Sequence, residues 1–126
     1  MDISLTEAEW NVMECLWESA PRTGREAVEY LNDRMGWNRS TTLTLLRRLE
    51  SKGVVAGNAN GDIKTFTPLI DREEASIKET ESLLDRIYKG SVSMLVSSLT
   101  KHQTLSREEI DNLYAILREM EEEHND

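Results

Sequence analysis

The sequence is poor in cysteine, histidine, proline and aromatic residues, and it has no long apolar run. Its one cysteine, Cys15, excludes an internal disulfide and any cage of several thiolates, which leaves packing as its expected role. The two histidines, His102 and His124, stand in no metal-ligand or nucleophile arrangement, and no glycine-rich phosphate loop is present. Neither a catalytic residue nor a metal or cofactor site is therefore expected, and the chain does not read as an enzyme. Glu119 to Glu123 clusters carboxylates near the carboxy terminus, a pattern of a solvated helix face. No apolar stretch approaches the roughly 20 residues that cross a bilayer. Met1 to Glu9 is acidic where a signal peptide would be basic and then apolar, so the expectation is a cytoplasmic chain without membrane insertion.

What is there is a helix-rich composition with a modest core: 126 residues, 38% hydrophobic and 31% charged. The net charge of −9 is unfavourable for a nucleic-acid binder, but it is unevenly spread. Residues 1–70 carry ten acids against eight bases, and residues 71–126 carry fourteen against seven. Within the first part, Arg39 to Lys52 holds Arg39, Arg47, Arg48 and Lys52 against one acid, Glu50. A local basic patch of this kind is what phosphate contact requires.

Thr6-Glu7-Ala8-Glu9 has the form of a capping box, and Trp10, Met13, Leu16 and Trp17 follow at helical spacing, ending near Ala20-Pro21. Thr23-Gly24-Arg25-Glu26 opens a second helix with Ala27, Val28, Leu31 and Met35 as its inner face, closed by Gly36. A third runs from the cap Asn38 to Gly53. At 100° per residue it places Thr42, Leu45, Leu46 and Leu49 on one side and Ser40, Thr44, Arg47, Arg48 and Ser51 opposite. Val54 to Ala56, the turn-rich Gly57 to Asp62 and the alternating Ile63 to Thr67 form a hairpin, with Asn60-Gly61 as the tight turn and Pro68 as the stop. Helical patterns resume at Asp71, break at Gly90, and end in a helix capped by Ser106. These last three helices have apolar stripes but too little bulk for a core, and pairing with a second copy would complete one.

Three helices followed by a two-stranded hairpin is the layout of a winged helix. The expected fold is mainly α: a winged helix-turn-helix domain with a small two-stranded wing over 1–70, then a helical dimerisation domain over 71–126. Helix three carries the candidate DNA contacts. Its early hydroxyls, Ser40, Thr41 and Thr44, can approach base edges, and Arg39, Arg47 and Arg48 can meet phosphate or guanine. Lys64 on the wing is a further candidate for phosphate. Trp10, Trp17 and Trp37 sit at core-facing or helix-entry positions, which points to packing rather than to stacking on bases.

Leu5-Thr6-Glu7-Ala8-Glu9-Trp10, with Val12-Met13 and Leu16-Trp17, resembles the opening of the penicillinase and methicillin-resistance repressor family, which includes copper-responsive relatives. Trp37, Thr41, Thr44, Leu45, Leu46, Arg48, Leu49, Lys52 and Gly53 are similar to that family's recognition-helix pattern, and Thr67-Pro68-Leu69 and Leu105-Ser106-Glu108-Glu109 extend the match. The resemblance implies a homodimer held by the carboxy-terminal helices, bound to a palindromic double-stranded DNA operator until a signal disables it. In the β-lactamase branch that signal is proteolysis triggered by a membrane sensor protease, and the bond cut there, an Asn-Phe, aligns with Ser98-Leu99. In the copper branch it is metal exchange at paired Cys-x-Cys motifs, which a chain with no cysteine after Cys15 does not have. Leu43 stands where relatives often carry a basic residue.

Two other readings stay open from sequence. The acidic balance suits a protein-interaction adaptor on a winged-helix scaffold, since fold does not fix function. Direct ligand sensing at a dimer interface is the third, although no residue pattern names a ligand.

Overall fold

Local signals set the helix ends. In the computed structural model, which describes residues 4–102 and 104–125, Thr6 and Thr23 each close a full capping box, with Glu9 and Glu26 as their partners. These open α1 (Glu7–Glu18) and α2 (Gly24–Met35), separated by a short strand β1 (Arg22–Thr23). α2 ends at Gly36 and α3 (Arg39–Lys52) at Gly53, both left-handed with φ of 71° and 80°. That conformation suits a residue without a Cβ. The hairpin strands are β2 (Val55–Asn60) and β3 (Ile63–Pro68), followed by α4 (Arg72–Tyr88), α5 (Val92–Lys101) and α6 (Arg107–His124).

The strands pair as β1-β3-β2, all antiparallel, with Asn60 opposite Ile63 and Val55 opposite Pro68. The wing is therefore longer than its alternation suggested, and the turn falls on Gly61-Asp62, one residue beyond Asn60-Gly61. The mainly α winged-helix architecture is as expected, with β1 as an addition. Two residues give no periodicity, so β1 is visible only through its ladder to Phe66 and Thr65.

The chain divides into two compact units, Met1–Thr80 and Glu81–Asp126. In the first, Val12, Met13 and Leu16 of α1 meet Ala27 and Leu31 of α2, Leu45, Leu46 and Leu49 of α3, and Val54, Val55 and Phe66 around the sheet. Cys15 lies fully inside this cluster, where burial pushes its thiol up to about 11. Met35, expected on the inner face of α2, is 43% exposed, because it occupies the last turn, past the core that ends at Leu31. The second unit holds the end of α4 with α5 and α6, and neither α5 nor α6 has a buried residue. Among the described residues, no helix is long and apolar enough to cross a membrane.

Candidate nucleic-acid interface

The rotation of α3 about its own axis is fixed by what it buries. Thr42, Leu45, Leu46 and Leu49 are all inside the core, so Arg39, Ser40, Thr41, Thr44, Arg47 and Arg48 are all outside. The sequence spacing and the observed burial agree at Thr42, Leu45, Leu46 and Leu49 on the inner side and at Ser40, Thr44, Arg47 and Arg48 on the outer. Asn38 holds the start of the helix, its Oδ1 accepting the backbone N–H of Thr41 at 2.9 Å. This fixes Thr41 at the helix entrance, where it and Ser40 are exposed.

The far end of α3 is anchored by a buried charge. Lys52 Nζ lies 2.7 Å from Oε1 of Glu9 and donates at 2.8 Å to the carbonyl of Ser4, tying the last turn of α3 to the entrance of α1. Burial works to raise the Glu9 pKa. The hydrogen bond from Lys52 and those from the backbone and hydroxyl of Thr6 outweigh it, so the carboxyl sits below its ordinary value. Lys52 is thus committed to the scaffold rather than available to a ligand.

The cations of this surface separate on that basis. Lys64 is also paired, at 2.9 Å from Oε1 of Glu50. Among the described residues, no carboxylate lies within salt-bridge reach of Arg39, Arg47 or Arg48. Three exposed guanidinium groups on one helix, none in a salt bridge with a described carboxylate, make a surface suited to polyanion binding.

Arg39 and Arg47 line an open groove of about 580 Å³ between α3 and the wing, with Lys64 on its other wall and Leu43 and Phe66 beneath. Arg48, Ser40, Thr41 and Thr44 lie on α3 outside that groove. The groove adds a residue that sequence reasoning passed over: Arg25, in the first turn of α2, paired only loosely with Glu29 at 3.8 Å. Its signal was the capping box of α2, which puts the residue after Gly24 at an exposed helix entrance. Gly24 keeps that entrance close to α3, since a Cβ there would stand 3.3 Å from Leu43 Cδ2. Leu43 is half-buried and belongs to the floor of this packing.

The tryptophans flank the core. Trp10 and Trp17 meet edge to face at 5.1 Å, Trp17 Nε1 donates to the Ile70 carbonyl at 2.9 Å, and Trp37 packs half-buried against the same cluster. Ser98 and Leu99 both lie inside α5, with Leu99 36% exposed. No group of three or more His, Cys, Asp or Glu side chains able to hold a metal occurs among the described residues.

A helix held at both ends, turned so that its uncompensated arginines face outward beside a β-hairpin, defines a DNA-binding winged-helix regulator. Sequence comparison narrows the class. The family profile described as penicillinase repressor matches residues 5–119, and the chain belongs to that family, whose members are transcriptional repressors and not enzymes. It is 31% identical over 115 residues to the penicillinase repressor of Bacillus licheniformis, covering 91% of this chain and 90% of that one. To the methicillin resistance regulatory protein MecI of Mammaliicoccus sciuri it is 26% identical over 113 residues, covering 90% and 92%. The fold superposes on the solution structure of the DNA binding domain of the repressor BlaI with a TM-score of 0.54 and 27% identity, over 59% of this chain and 90% of that domain. The solution structure of monomeric Bacillus licheniformis BlaI in complex with the blaP half-operator gives 0.52 and 27% over the same shares.

Proposed function

We propose that this repressor acts as a homodimer on a palindromic double-stranded DNA operator, with α3 in the major groove and the wing beside it, and that a signal disabling the dimer relieves it. The observation that carries the reading is the outward face of α3: uncompensated Arg39, Arg47 and Arg48 next to Ser40, Thr41 and Thr44. Thr41 and Thr44 are short enough to approach base edges, and Arg47 and Arg48 reach guanine or phosphate. The half-operator complex of the B. licheniformis relative supports DNA as the partner. Residues 1–70 bind DNA and residues 71–126 dimerise, which spaces the half-sites by one or two helical turns, roughly 10 base pairs each. A DNA ligand supports a cytoplasmic location.

The unburied apolar side chains of α5 and α6, among them Leu99, Tyr114, Ile116, Leu117 and Met120, support dimerisation by that region. Relief by a membrane sensor protease would act at Ser98-Leu99. A cut there divides α5, and it requires α5 to open locally first, because a protease needs extended backbone.

The reading is tested by titrating the purified protein against the DNA upstream of its own gene, with scrambled duplex as competitor and salt varied. Saturable binding that survives the competitor and weakens as salt rises is the expected result. No specific complex at any salt would refute it and favour a protein-interaction adaptor.

A further inference from the structure

Lys64 is the only cation between Val55 and Pro68, and it does not stand free. Its Nζ is 2.9 Å from Oε1 of Glu50 and 5.2 Å from the Phe66 ring centroid. Glu50 is the single acid of α3, and it spends its charge on the wing. The ion pair crosses β2 above Gly57. A Cβ at that position would stand 2.5 Å from Lys64 Cε and 2.6 Å from Glu50 Oε2, so any other residue there would displace the pair. Gly57 has no positive φ that would itself demand glycine; the space above it is what the bridge uses.

An ion pair this exposed adds little to stability. Its effect on DNA binding is larger. Moving Lys64 to a phosphate exchanges one anionic oxygen for another and leaves Glu50 uncompensated beside a polyanion, so the move gains almost nothing. We infer that Glu50 is a counter-charge that keeps Lys64 on the protein, so that the wing, which also carries Asp62, offers DNA no free cation and the arginines of α3 carry the phosphate contacts. Phosphate contacts carry no sequence information. Withholding one therefore weakens binding to any duplex about equally while leaving base readout by α3 intact, which makes Glu50 a determinant of overall affinity and its salt dependence.

The inference rests on the DNA-binding reading, and a four-membered cycle separates the two. Full-length wild type, Glu50→Gln, Lys64→Gln and the double variant are titrated by fluorescence anisotropy against a fluorescein-labelled duplex of mixed sequence across a range of salt. Glu50→Gln frees Lys64 for one more phosphate, so its plot of log affinity against log salt steepens by about 0.9. The double variant keeps the wild-type slope, because a neutral pair replaces a neutral pair. In the Lys64→Gln background, adding Glu50→Gln leaves the slope unchanged. A wild-type slope in Glu50→Gln would overturn the inference while the DNA reading stands. So would a double variant shallower than wild type, which would mean that Lys64 already contacts phosphate. Absence of wild-type binding at every salt would remove the DNA reading and the inference with it.

Discussion

Every buried residue among those described lies between Glu9 and Ala75, within the unit Met1–Thr80; the unit Glu81–Asp126 has none. The first unit closes a core around Met13, Leu16, Leu31, Leu46 and Leu49, each at most 1% exposed. In the second, Val92 is 60% exposed and Tyr114, Ile116 and Leu117 lie at 55–56%. Helices of 10 and 18 residues that bury nothing gain little from propensity alone. The difference teaches that the two parts of one short chain cannot be stabilised in the same way: the first closes a core of its own, and the second buries no residue among those described.

The comparison can be broken from either side. The largest effect is expected from Leu117→Glu, which puts a charge on the apolar face of α6. The variant should be monomeric by light scattering while the first unit stays folded, and the lost avidity should weaken operator binding by about 10²- to 10⁴-fold. Next is Arg48→Ala, which leaves the core untouched and should cost about 1 to 3 kcal/mol of operator affinity in a gel-shift titration if Arg48 contacts a base. An unchanged affinity would take Arg48 out of the interface.

A smaller effect sharpens the account of the first unit. Thr42 is fully buried and its hydroxyl has no hydrogen-bond partner among the described residues. Thr42→Val exchanges that stranded hydroxyl for a methyl and should raise stability by about 1 kcal/mol in urea denaturation followed by tryptophan fluorescence. The smallest concerns acid. The Glu9 carboxyl is held below its ordinary 4.5, so the folded state binds its proton less readily than the unfolded one. The stability it contributes is fully present above 4.5 and is lost as pH falls through the lower folded value. Urea midpoints measured downward from neutral pH should show a loss in wild type that is reduced in Glu9→Gln.

Much of the first unit is legible in the sequence because its signals are local. The capping boxes at Thr6 and Thr23, the Asn38 cap and the Gly36 and Gly53 stops each act within a few residues, and the spacing of Thr42, Leu45, Leu46 and Leu49 sets the outward face of α3 unaided. What sequence reasoning missed depends on partners distant in the chain. β1 exists through its ladder to β3, and Lys52 and Lys64 look like free cations until Glu9 and Glu50 are brought to them across 43 and 14 positions. The local surplus of positive charge on Arg39 to Lys52 is real, but its availability is decided by tertiary pairing, which leaves the arginines. Arg25 enters the same groove only because α2 packs on α3 at Gly24.

The central proposal is that residues 1–70, within the unit that closes its own core, bind DNA and that residues 71–126, which include the second unit, bring two copies together. Sedimentation velocity of the full chain, alone and with a labelled duplex from upstream of its gene, tests this directly. The account predicts a dimer in free solution and two chains on each duplex. A chain that sediments as a monomer in both conditions, or a dimer that forms no complex with the duplex, would contradict it.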